Sequence, residues 1–126
     1  MNALIAGSLE PTRALAERLA AEGIGAQTSV PGATREPIPA LAASLVELER
    51  RISAQRPGMV VLADRSDHAL AAALVATKLL VPAALVRDGG DSGSGEDVPG
   101  AGENHRLLGL LAQPVEIDAL PTLLRQ

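Results

Sequence analysis

Alternating strand and helix signals predict a three-layer α/β domain around a doubly wound, five-stranded parallel sheet. The strongest signal is residues 56–87, RPGMVVLADRSDHALAAALVATKLLVPAALVR, which read as one strand–helix–strand unit. Residues 59–63 form an apolar run long enough for a strand and too short for a helix. Residues 81–86 form a second such run, with Pro82 near its start, where a strand tolerates proline. Strands that are apolar on both faces and joined by a helix belong to a parallel sheet covered on both sides. The same alternation runs through the rest of the chain.

A first strand is predicted over 3–6, ending at Gly7-Ser8. A helix over 10–22 follows, with Ser8 as its N-cap, Glu10 and Pro11 in its first turn and Gly23 as its stop. Leu15 and Leu19 form its inner stripe with Ala16 and Ala20, and Arg13–Glu17 and Arg18–Glu22 are i,i+4 pairs outside. Residues 24–30 read as the second strand, and 31–39, with three prolines and Gly32, as a loop. Residues 40–55 are the clearest amphipathic helix: Leu41, Leu45, Leu48 and Ile52 make one seam, with Glu47, Glu49, Arg50, Arg51 and Gln55 outside. After the third strand, a polar break at 64–68 leads into an Ala- and Leu-rich helix over 69–80. Residues 88–104, rich in Gly, Asp and Ser, read as a long flexible loop. A fifth strand over 107–112 and a closing helix over 116–125, with Ile117, Leu120 and Leu124 inward, complete a single domain.

Right-handed crossovers limit the strand order, and the long second helix selects the Rossmann-like, flavodoxin-like order 2-1-3-4-5. In such a sheet, ligands bind beyond the carboxyl ends of the strands, where the order reverses. The residues there are Gly7 and Ser8, then Asp64, Arg65, Ser66, Asp67 and His68, then Arg87. Gly7 and Ser8 precede a helix whose free N–H groups suit a phosphate. Asp64 and His68 suit acid–base work, and Arg65 or Arg87 suits an anion clamp. Each also has a plain structural reading. Ser8, Asp64 and Ser66 serve as helix caps, Asp67 favours the helix dipole, and a lone histidine such as His68 usually lies on a surface.

Composition removes several classes of function. The 126 residues are 47% hydrophobic and 21% charged, enough for one domain with a sizeable core. There is no Phe, Tyr or Trp, so no platform for stacking bases, and the net charge of −4 supplies no basic footprint for a duplex. No nucleic-acid partner is expected. Without cysteine there is no disulfide framework or thiolate chemistry, which suits the cytoplasm. The amino end has no signal-peptide pattern, and Lys78 and Pro82 interrupt the longest apolar region, so no membrane span is expected. Gly7 stands alone after the first strand, without the glycine pattern of a dinucleotide or P-loop site. His68 and His105 are the only imidazoles, and Asp91, Glu96 and Asp97 lack calcium-loop spacing. No cofactor or metal is predicted.

The run Arg56-Pro57-Gly58-Met59-Val60-Val61-Leu62-Ala63-Asp64, then Ala71-Ala72-Ala73-Leu74, then Val81-Pro82-Ala83-Ala84-Leu85-Val86-Arg87-Asp88-Gly89 carries a resemblance. Residues 41–89 resemble the N-terminal half of UDP-N-acetylglucosamine 2-epimerases, two-domain proteins of the GT-B-like sugar-nucleotide fold. Their pattern runs K-P-D-x-V-L-V-x-G-D-T-T-T, an A-A-A-L-A-A helix, then I-P-V-x-H-V-E-A-G. Asp64 falls on the family's acidic residue after the strand. The family's Gly before it is Ala63 here, its His is Leu85 and its Glu is Arg87. The opening G-T-R-P-E is echoed by Gly7-Ser8-Leu9-Glu10-Pro11, and the second, UDP-holding domain has no counterpart in these residues. Separately, Gln113-Pro114-Val115-Glu116 with 117–124 is similar to the last strand, K-P turn and final helix of response-regulator receiver domains. Their phosphorylation residues have no match.

Three readings follow. The first is a small non-catalytic binding domain that takes a partner protein, a second copy of itself, or an anionic small molecule at the strand-end crevice. The second, implied by the first resemblance, is a half-enzyme of sugar-nucleotide type that uses Asp64 and His68 and needs a partner domain. The third is a non-phosphorylated pseudo-receiver in signalling.

Overall fold

Parallel pairing forces each connection between neighbouring strands to leave the sheet and return, and a helix follows every strand here. The structure, a computed structural model, describes residues 1–87 and 101–126. Strands β1 (Ala3–Ala6), β2 (Gln27–Ser29), β3 (Met59–Leu62), β4 (Ala83–Arg87) and β5 (Gln113–Glu116) form one sheet, ordered β2-β1-β3-β4-β5, as the sequence predicts. All neighbouring pairs are parallel. The helices are α1 (Leu9–Ala21), α2 (Pro37–Gln55), α3 (Asp67–Lys78), α4 (Ala101–Leu111) and α5 (Leu120–Leu124), the last entered through a 3₁₀ turn at Ile117–Ala119.

Period-two alternation divides the core between the two faces of the sheet. Leu4, Val60, Leu62 and Leu85 pack under α2, α3 and α4, meeting Leu48, Ile52 and Leu108. Ile5, Val61 and Ala84 pack on the other face against Leu15 and Leu19 of α1 and Leu120 and Leu124 of α5. The middle strands β1 and β3 are buried along their whole length. Helix α3 buries eight of its 12 residues, five of them the small side chains Ala69, Ala71, Ala72, Ala73 and Ala76, which let it lie close on the sheet. This packing stands in for aromatic rings.

Residues 107–112 are not a strand. Residues 107–111 belong to α4, which begins at Ala101 inside the stretch read as loop; Ala112 links it to the fifth strand, Gln113–Glu116. The Leu-rich run fits either period. What decides it is that Asn104 and Leu108, four apart, are buried, whereas Leu107 and Leu110 are exposed. Strand β5 carries little signal, because it lies at the sheet's edge with only Val115 buried and Pro114 in mid-strand. The likeness to a receiver domain fails with it, since Gln113-Pro114 opens a strand instead of following one. Residues 88–100, with Asp91, Glu96 and Asp97, lie outside the described residues.

Smaller differences have local causes. Helix α2 starts at Pro37, because prolines lack only N–H groups that a first turn leaves unbonded. Ala20 is exposed. Arg13 pairs with Glu10, while Arg18 and Glu22 reach Asp118 and Arg125 near the carboxyl end. Helices α1 and α3 share one ending. The N–H groups of Gly23 and Ile24 return to Ala20 and Leu19, and those of Leu80 and Val81 return to Thr77 and Ala76. Gly23 supplies the left-handed residue in α1 (φ 81°); in α3 the same place is taken by Leu80 (φ 60°), whose side chain is 91% exposed.

The helical phase of α4 is testable. Leu108→Ala should lower unfolding free energy by about 2–5 kcal/mol in denaturant titrations, and Leu110→Ala by less than about 0.5 kcal/mol. Equal losses would return both leucines to one face of a strand.

Candidate functional site

Because every strand is parallel, all the carboxyl ends share one rim, and the order reverses between β1 and β3. Asp64, just past β3, ties the two loops at that point. Its Oδ2 accepts the N–H of Ser8 at 3.1 Å, and its Oδ1 accepts the N–H of Ser66 at 3.0 Å. Ser8 holds the N-cap position of α1, yet its hydroxyl makes no capping bond. The carboxylate supplies the negative charge at this helix end instead. Gly7 permits the approach: a Cβ there would lie 3.0 Å from both Asp64 Oδ1 and Thr12 Oγ1 and 3.2 Å from Ala63 Cβ. A ligand reaching this point therefore meets an acceptor as well as N–H donors.

The rest of the D-R-S-D-H cluster has divided duties. Ser66 caps α3, its Oγ accepting the N–H of Ala69 at 3.2 Å. Buried Asn104 of α4 donates through Nδ2 to Arg65 O and to Asp67 Oδ1, both at 2.9 Å. Arg65 Nε donates to His105 Nδ1 at 2.8 Å on the exposed side. Asn104 thus fastens the start of α4 to the rim. The sequence reading missed it because it placed residue 104 in a loop.

His68 is neither a surface histidine nor a rim group. Only 3% exposed, it lies beneath the rim with Nε2 at 2.8 Å from Ser29 Oγ and Nδ1 at 2.8 Å from Ser44 Oγ. Ser29 ends β2 and Ser44 sits on α2, so the imidazole joins three elements. Burial lowers its proton affinity, the negative charges of Asp64 and Glu47 oppose that shift, and Arg51 adds to it. A signal was present in the sequence: Ser44, Leu48 and Ile52 follow one another at four-residue spacing on the inner face of α2.

Arg87 closes β4 opposite Glu116 of β5 and pairs with it at 2.8 Å. It shares the rim but stands two strands from Ser8, about 10 Å away by strand spacing. Of the predicted residues, Gly7, Ser8, Asp64 and Ser66 converge directly. Arg65 and Asp67 join them through Asn104, His68 lies below, and Arg87 is displaced toward β5.

Solved structures share this architecture. The chain superposes on the Staphylococcus aureus MnaA–UDP complex with TM-score 0.68 and 20% identity, over 89% of its own length and 36% of the other's. For the Neisseria meningitidis UDP-GlcNAc 2-epimerase bound to UDP-GlcNAc, the TM-score is 0.71 at 13% identity, over 90% and 38%. For the Methanocaldococcus jannaschii UDP-GlcNAc 2-epimerase in complex with UDP-GlcNAc and UDP, it is 0.69 at 19% identity, over 89% and 39%. The chain has the fold of one segment of these proteins. It spans well under half of their length. No family model matches the chain, and no curated protein matches it in sequence. The likeness first visible over 41–89 thus extends, as fold, across about nine-tenths of the chain.

Three outcomes test this geometry. Asp64→Ala leaves two N–H groups without their acceptor and should cost about 1–3 kcal/mol of unfolding free energy in urea titrations. Gly7→Ala should cost about 1–3 kcal/mol in the same titrations and shift the Ser8 amide resonance, since the new methyl crowds Asp64. For His68, a folded-state proton affinity below the unfolded one means stability is full above about pH 6.5 and falls as pH drops below it. His68→Gln should flatten that part of the stability–pH curve; an unchanged slope would remove His68 as its source.

Proposed function

We propose that the chain is the sugar-binding half of an enzyme or binding protein for nucleotide sugars of the UDP-N-acetylglucosamine type, completed by a second domain that holds the nucleotide. Asp64 carries this reading: it is a carboxylate at the strand ends, where the sheet order reverses, in a fold shared with epimerase segments. The structural neighbours favour this half-enzyme over a stand-alone, non-catalytic binding domain.

Each oxygen of Asp64 accepts one backbone N–H and keeps lone-pair capacity for a sugar hydroxyl. Arg65 and Arg87 bring positive charge to the same rim for the phosphates, and Asn104 holds the Arg65 backbone in place. Two positions narrow the chemistry. Leu85, where the family pattern has His, is buried in the core at 4% exposure. Arg87 stands where the pattern has Glu. Asp64 is then the one side chain of that pattern left for proton transfer, with holding and orienting the sugar as the main task. Lack of cysteine suits a cytosolic setting for this work.

Amide-resolved NMR titration with UDP-GlcNAc, UDP and free N-acetylglucosamine tests the proposal. UDP-GlcNAc should shift the Ser8 and Ser66 amides in a saturable manner, and Asp64→Ala should weaken that response about tenfold or more, the loss of a charged hydrogen bond. Shifts confined to other regions, or none at millimolar ligand, would remove the sugar-nucleotide reading.

A further inference from the structure

Arg65 lies between two aspartates on the rim and pairs with neither. It follows Asp64 directly and precedes Asp67 by two residues, yet among the described residues it forms no ion pair. The oxygens of Asp64 accept the N–H groups of Ser8 and Ser66, and Asp67 Oδ1 accepts from Asn104. Arg65 donates its Nε–H to His105 Nδ1 instead, at 2.8 Å. An imidazole nitrogen accepts only through a free lone pair, so the ring is neutral and its hydrogen lies on Nε2. A neutral partner leaves the guanidinium charge uncancelled. The two terminal nitrogens bond to nothing among the described residues, whereas Arg87, the other rim arginine, is paired with Glu116. Arg65 is also held at both ends. Asn104, 5% exposed, donates to its carbonyl at 2.9 Å, and His105, next along α4, holds its side chain. A free arginine loses much rotamer entropy when it grips a ligand; this one is ordered beforehand.

We infer that Arg65 is the phosphate-binding residue of this half, that His105 positions it, and that the smallest ligand recognised is a sugar 1-phosphate. The sugar part rests on the sugar-nucleotide reading; the phosphate part rests on Arg65. A guanidinium grips two phosphate oxygens as a planar fork. With Nε–H occupied by His105, the edge left for that fork is the terminal pair of nitrogens. Direction then sets the shape of the ligand. Asp64 leans toward Ser8 and β1, while Arg65 leans toward α4. A ligand that meets both extends across the end of β3, its ring at the carboxylate and its phosphate at the guanidinium. Recognition within this chain stops there, because without Phe, Tyr or Trp nothing stacks on a base. The family pattern follows its Asp with T-T-T, where this chain has Arg65-Ser66-Asp67, so the clamp is a feature of this chain.

Amide and side-chain NMR of the 126-residue chain tests it, the amide spectrum confirming that each variant is folded. The ligands are N-acetylglucosamine, its 1-phosphate, UDP-GlcNAc and inorganic phosphate, at ionic strength matched with chloride. The 1-phosphate should shift the Ser8 amide and the Arg65 Nε–H together, and bind about tenfold or more tighter than the free sugar. Arg65→Gln should remove that gain and keep the response of Ser8 to free sugar. His105→Ala should weaken the 1-phosphate about threefold or more, and His105→Gln, whose carbonyl can accept the Nε–H, should restore it. Arg106→Gln, one residue further on exposed α4, takes away the same charge and should change little. UDP-GlcNAc should exceed the 1-phosphate by less than about threefold, since no ring meets the base. Imidazole ¹⁵N shifts should place the His105 hydrogen on Nε2. A 1-phosphate no tighter than the sugar, with the sugar still shifting Ser8, overturns the inference and leaves the sugar-nucleotide reading standing. Inorganic phosphate that shifts the Arg65 Nε–H while no sugar shifts Ser8 upholds the clamp and removes that reading instead. Equal losses from Arg65→Gln and Arg106→Gln, or a His105 hydrogen on Nδ1, also overturn the inference.

Discussion

The meeting of β1 and β3 at the middle of the sheet, fastened at its carboxyl edge by Asp64, holds the rest of the structure in place. Both strands are fully buried, and their register brings Ala6 level with Leu62. The two loops that follow must therefore leave the sheet side by side. Their amides would compete for water at a half-buried edge, and one carboxylate satisfies an N–H from each. Gly7 leaves room for this arrangement. The geometry that stabilises the switch point is also what presents a carboxylate there, so architecture and candidate chemistry rest on the same atoms.

A second layer of polar contacts lies under the first. Ser29, His68 and Ser44 form a buried hydrogen-bonded chain from the end of β2 through α3 to α2. Asn104 plays a similar part between α4 and the loop after β3. Buried polar groups with complete bonding fix the relative positions of elements more sharply than alanine–leucine packing can. In a core without aromatic rings, that help matters. The apolar interior is built from small side chains that fit many arrangements, and these polar links select one.

The parts of the fold legible from the sequence were those with long, unambiguous periods. Helix α2, the β3–α3–β4 unit and the strand order all followed from hydrophobic patterning and the rules of parallel connection. The carboxyl-terminal third was not legible in the same way. A leucine cluster such as Leu107, Leu108, Leu110 and Leu111 suits a strand or a helix equally, and an edge strand with one buried residue leaves almost no trace. For the site, position in the topology pointed to Gly7, Ser8 and Asp64, because strand ends are set by the strands. The surroundings of His68 depended on tertiary contacts with residues 24 and 39 positions away in sequence. No local pattern records such contacts, apart from the serine on the inner stripe of α2.

Strand β5 closes one margin of the sheet with Pro114, which has no N–H to offer a neighbour, and β2 closes the other with three residues. Neither margin is a good template for backbone pairing with a further strand. Growth by edge-to-edge addition, the usual route from a parallel sheet to fibrous aggregates, is thereby discouraged at both ends. Contacts with other molecules are left to the helical flanks and the loop rim.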